Sequence, residues 1–168
     1  MQLIETIEVG SGGAASIEFT SIPQDGVDLV LVFSCRTDNA TVHLSTYVTF
    51  NSDTSANYDW LFLRGSGTSA DSVSVSGDTK GWVGYIPGSS STANTFGNTA
   101  VYISNYTSSA AKSFSSDNAN ETNAASVRMA IDASKWSGTD AISSIQLFGS
   151  SDNFVQYSTA SLYKITAD

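Results

Sequence analysis

The chain of 168 residues holds one cysteine, one histidine and two prolines, and each scarcity removes a class of chemistry. A lone cysteine forms no disulfide within the chain. Cys35 closes the apolar stretch Leu29 to Cys35 and reads as a small buried hydrophobe. One histidine and one cysteine cannot supply a zinc ligand set, so no metal or other cofactor is expected. Nucleophilic catalysis would have only His43 as a base, and no Gly-x-Ser-x-Gly elbow accompanies it. His43 lies among Ser45 and Tyr47 and reads as a sheet-face histidine. Long hydrophobic runs are missing too: the longest, Leu29 to Phe33, falls far short of a membrane span. The opening Met1-Gln2-Leu3-Ile4-Glu5 has no basic region and no long apolar stretch, which predicts synthesis in a reducing cytoplasm without a secretory signal.

Cations are few. Seven Lys and Arg stand against 16 Asp and Glu, for a formal net charge of −9. The basic residues are scattered singly at Arg36, Arg64, Lys80, Lys112, Arg128, Lys135 and Lys164. Phosphate backbones and anionic lipid both need clustered cations, so neither nucleic acid nor membrane is expected as a partner. Three N-x-[ST] tripeptides, at Asn39, Asn105 and Asn120, are what a chain rich in Asn, Ser and Thr produces by chance.

What remains is 40% hydrophobic and only 14% charged, filled out with Ser, Thr, Asn and Gly. Thr, Tyr, Val, Ile and Phe suit a pleated surface, while Gly, Asn, Asp and Ser serve turns. Apolar residues recur with period two. In Val42 to Phe50 the side chains of Val42, Leu44, Thr46, Val48 and Phe50 face one way. Asn98 to Tyr106 and Ser126 to Asp132 alternate likewise, and Asp28 to Arg36 is apolar on both faces, as a central strand is. Further strands are expected at Leu3 to Val9, Ser16 to Ile22, Tyr58 to Arg64, Ser72 to Ser76, Gly81 to Ile86, Ala141 to Phe148 and Phe154 to Thr166. No segment carries the spacing of an amphipathic helix. Short strands between Gly, Ser and Asp clusters predict one all-β domain over residues 1–168, a two-sheet antiparallel β-sandwich of jelly-roll type. Pro87 to Asn98 and Ser113 to Ala124, rich in Ser and Asn, read as long loops.

Most carboxylates fall in turn clusters such as Asp25-Gly26, Asp117-Asn118 and Asp152-Asn153, where the side chain caps its own backbone, so no enzymatic acid pair is expected. Phe50 to Trp60 carries alternate oxygens, loosely like a calcium loop. It lacks the central Gly and terminal Glu of an EF-hand, so Asx turns are the expectation. Tyr58, Trp60, Trp82, Tyr106 and Trp136 flank loops, where rings either plug the sandwich or stack on a ligand.

Several blocks, taken in order, resemble a family of small β-sandwich proteins encoded among the structural genes of tailed phages, many of marine bacteria. Ser16-Ile17-Glu18-Phe19-Thr20-Ser21-Ile22-Pro23-Gln24 is followed by Asp28-Leu29-Val30-Leu31-Val32-Phe33 and Arg36. Phe50-Asn51-Ser52-Asp53-Thr54-Ser55-Ala56-Asn57-Tyr58 is similar to the family's Phe-Asn-Gly-Asp-Thr-Gly-Ser-Asn-Tyr, with Ser52 and Ser55 where the family has glycines. Ile86-Pro87-Gly88, Phe154-Val155-Gln156-Tyr157-Ser158 and Leu162-Tyr163 resemble its later blocks. The resemblance implies a virion structural protein with a shared scaffold and no shared catalytic site. Its expected role is a head decoration, or cement, protein on the outer surface of the major capsid protein shell, acting as a homo-oligomer, a trimer being one form. A tail- or fibre-associated module that recognises host glycan is the alternative. The expected contact elements are the edge strand, through Leu3, Ile4 and Ile7, and loop-flanking rings at Trp82, Phe96 and Trp136.

Overall fold

A computed structural model describes residues 1–121 and 127–167. Among them are twelve strands and no helix: β1 (Gln2–Glu8), β2 (Ser16–Phe19), β3 (Asp28–Cys35), β4 (His43–Phe50), β5 (Tyr58–Ser66), β6 (Ser69–Asp78), β7 (Gly81–Pro87), β8 (Gly97–Ile103), β9 (Lys112–Glu121), β10 (Val127–Trp136), β11 (Ile145–Gly149) and β12 (Thr159–Ile165). They form an eight-stranded antiparallel sheet, β1-β12-β3-β8-β9-β10-β5-β6, and a four-stranded one, β2-β11-β4-β7. In β1-β12-β3-β8 and β2-β11-β4-β7 the chain changes layer at every step except β4 to β7, which pair within the smaller sheet, and this is the winding of a jelly roll. The pairs β5–β6 and β9–β10 interrupt that winding after β4 and β8. They extend the larger sheet because β10 pairs with β5 in continuous register from Arg128↔Ser66 to Trp136↔Tyr58.

The main core lies between the layers. Leu29, Leu31 and Phe33 of β3, buried in alternation, meet Leu44, Val48 and Phe50 of β4 and Ile145 and Leu147 of β11. A second, aromatic cluster of Trp60, Phe62, Trp82, Tyr85 and Ala130 lies on the opposite side of β7. Strand β7 serves both. Its pairing with β4 passes from Thr46↔Gly84 to Tyr47↔Trp82 and leaves Val83 extra, a β-bulge with Gly84 at φ 130°. The bulge shifts the alternation by one, so that Trp82 and Tyr85 share the aromatic side while Val83 and Ile86 share the main core. Gly84 also has no room for a side chain, because a Cβ there would come within 3.1 Å of three Asn118 atoms.

Burying both faces of β7 requires the large sheet to curl round its free edge, and β9 is the strand at the bend. Its burial alternates strictly, with Lys112, Phe114, Ser116, Asn118 and Asn120 inward. Ser113 to Ala124 was expected to be a loop; as far as the described residues go it is a strand, and 122–124 and Ser126 lie outside them. The reason is physical. Inward residues at the bend meet a backbone edge, which needs hydrogen bonds, where flatter parts of the sheet meet an apolar layer. Asn118 Nδ2 donates to Tyr85 O at 2.8 Å, to Thr99 Oγ1 at 2.8 Å and to Asn98 O at 3.0 Å, and Tyr85 N donates back to Asn118 Oδ1 at 3.1 Å. Ser116 Oγ donates to Val83 O at 3.2 Å. Side chains of β9 thus do for β7 what a neighbouring strand would. Asp117-Asn118 is accordingly mid-strand, with Asp117 outward, and caps no turn.

Candidate assembly interface

The reactive side chains are engaged in holding the frame. Cys35 is fully buried, with Sγ 3.7 Å from Thr159 O, and burial pushes its thiol up to about 12. His43 packs edge-on against Tyr85 at 5.4 Å, and burial followed by the charges of Arg128 and Arg64 pushes it down to about 4. Asp132 accepts hydrogen bonds from Ser116 and from Ser134, the latter at 2.7 Å; burial raises its carboxyl to about 6 against the opposing effect of those bonds. Lys112, 1% exposed, donates to Ser108 O, Ala110 O and Asp140 O and so closes one end of the sandwich.

The segment Asn51 to Asn57 is built on Asx contacts. Asp53 accepts from Ser55 N at 2.9 Å, Asn57 Nδ2 at 2.8 Å and Trp136 Nε1 at 2.8 Å. Burial works to raise its carboxyl, but these donors outweigh it and hold the group down at about 2. Ser52 is left-handed at φ 57°, beside Asn51 at 53°, while Ser55 is not. Among the described residues no group of three or more His, Cys, Asp or Glu is placed to hold a metal ion.

The six interface candidates do not share one surface. Trp82 and Trp136 are 1% and 2% exposed and belong to the aromatic cluster and the main core, so both expectations are corrected. Tyr58, Trp60 and Tyr106 are buried with them, so none of the five loop-flanking rings is exposed for stacking. Leu3 is half exposed on the outer face opposite Tyr163, whereas a register shift between Leu3 and Glu5 turns Ile4 and Ile7 against the core. Strand β1 ends the large sheet and pairs only with β12 among the described strands. At its C-terminal end Val9 N bonds Ser158 O at 2.8 Å and Tyr157 N bonds Val9 O at 3.0 Å. Phe96, half-buried, shares a groove there with Asn94, Gln156 and Tyr157. The preceding loop is fixed by Arg36, which donates to Ser91 O, Thr92 O and Thr95 O. Tyr157 is 63% exposed at φ 70°, an uncommon backbone for a bulky residue. The sequence reading passed over it, since a left-handed tyrosine leaves no periodic trace.

A second surface was not anticipated. On the outer face of the sheet extension Leu61 and Leu63 of β5 lie beside Ala133 and Ile131 of β10, with Met129 beside Gly65. Leu61, Leu63, Met129 and Ile131 are each 45–55% exposed. The signal was present in the period-two pattern, because Leu61 and Leu63 alternate with Trp60 and Phe62, so the strand is apolar on both faces.

No protein-family model and no curated protein matches the chain. The functional reading therefore rests on these surfaces and on the resemblance of the residue blocks.

Proposed function

We propose that the chain is a virion structural protein of a tailed phage and decorates the outer surface of the major capsid protein shell. The observation that carries the reading is the unpaired edge of β1 running into the Phe96–Tyr157 groove. An open edge offers a row of backbone donors and acceptors to a strand of another chain, and the groove beside it takes an anchoring side chain. Each contact is small. On a closed shell the contact repeats at every symmetric position, so a modest interface per copy suffices.

Charge supports the outer surface over the DNA-lined interior. Arg36, Lys112 and Lys164 are less than 9% exposed against Asp132 alone among the described acids, so the part of the chain that meets solvent is more acidic than the formal −9 implies.

The test adds purified protein to undecorated capsids assembled from the major capsid protein encoded with it, imaged by electron microscopy. Saturable, symmetry-ordered density is expected, with affinity reduced at least about tenfold by Tyr157→Ala or Leu3→Lys and thermal stability unchanged. Capsids that acquire no ordered density at saturating protein would sink the reading.

A further inference from the structure

We propose that two copies of this chain pair through the outer face of β6, β5 and β10. The inference stands apart from the capsid reading, which uses the opposite end of the large sheet.

Three observations carry it. The first is self-complementarity. Leu63, Met129 and Ile131 project beside a hollow whose floor is Gly65 and Ala70, directly paired residues of β5 and β6. A ridge next to a hollow on one surface is what a two-fold contact needs, since each copy's ridge enters the other's hollow. The second is charge. On a molecule of net charge −9, two copies repel each other wherever acidic groups meet. Between the Asp59–Lys135 ion pair at one end and Glu121 at the other, Asp117 is the one charge among the outward residues of β5, β10 and β9; Ala70, Ser72 and Ser74 of β6 are uncharged, and Arg64 and Asp71, which also line the hollow, neutralise each other as an ion pair. The third is area. Three strands at about 4.8 Å and four same-face rows at about 6.8 Å cover on the order of 400 Å². That matches the largest apolar patch of an ordinary monomer and is about two thirds of the ~600 Å² per partner at the lower limit of specific interfaces, so a weak dimer, with a dissociation constant of about 100 µM, is expected.

Sedimentation analysis from about 1 to about 200 µM should show the 17.6 kDa chain shifting toward twice that mass. Raising the salt concentration should tighten the dimer, because salt screens like charges and leaves apolar contact intact. Leu63→Lys with Ile131→Lys should weaken it at least about 100-fold at unchanged thermal stability, both side chains being outward. A chain that stays monomeric throughout, a dimer indifferent to the double substitution, or one that loosens in salt overturns the proposal. Capsid binding by the monomeric double variant tests the decoration reading separately.

Discussion

Asp132 is the residue whose burial should be easiest to measure. It is 7% exposed, and its carboxyl titrates near 6 in the folded chain against an ordinary value of 3.8. Between those values the folded state keeps a proton that the unfolded chain has lost. The stabilisation is complete below about pH 4 and disappears as pH rises through 6, on the order of 3 kcal/mol in all. Asp132→Asn should therefore raise the denaturant midpoint at pH 7.5 and flatten the stability profile between pH 4 and 6; equal slopes in the two proteins would refute the assignment. Asp53 acts with the opposite sign in a different window, since its depressed carboxyl stabilises above about pH 4 and loses that effect as pH falls toward 2. At this scale the sequence was partly legible. Cys35 could be placed in the core because its neighbours in the chain are apolar. Trp82 and Trp136 could not, because a ring next to a loop has the same sequence context whether it points in or out. Lys112 was equally silent: its burial depends on three carbonyls supplied by segments that meet only in the fold.

Strand β9 shows what alternation can and cannot reveal. Apolar alternation marked β3, β4, β8 and most other strands within a few residues, because each presents an oily face to the opposite layer. The same period runs through β9, but with Ser116 and Asn118 where a core strand has Val or Leu, and polar content alone made it read as loop. Its inward face meets the edge of β7, so hydrogen-bonding side chains are the ones that stabilise it. Replacing Asn118 by the similarly sized Leu should leave Tyr85 N and O without these bonds and cost about 2–4 kcal/mol in urea or thermal unfolding. The outward neighbour Ser115→Ala should stay within about 0.5 kcal/mol. Comparable losses at both positions would mean that the β9 side chains do not serve the edge of β7.

Among the described residues there are two apolar clusters, and strands β7, β5 and β10 contribute buried residues to both. Strand β7 gives Val83 and Ile86 to the main core and Trp82 and Tyr85 to the aromatic cluster. Strand β5 divides Tyr58 from Trp60 and Phe62, and β10 divides Trp136 from Ala130 in the same way. Opening the sheet extension would strip one face of β7 and remove the Asn118 bonds that hold its edge, so the extension cannot melt without loosening the jelly roll beneath it. Unfolding should be a single transition. The three tryptophans allow the check, because Trp136 reports the main core while Trp60 and Trp82 report the aromatic cluster. In Trp60→Phe/Trp82→Phe, and separately in Trp136→Phe, the remaining fluorescence should follow the far-UV circular dichroism of the same variant to within about 0.2 M urea. A fluorescence change in Trp136→Phe that precedes the loss of strand signal would show the extension to be an independent unit, and β7 would then be a boundary between two bodies.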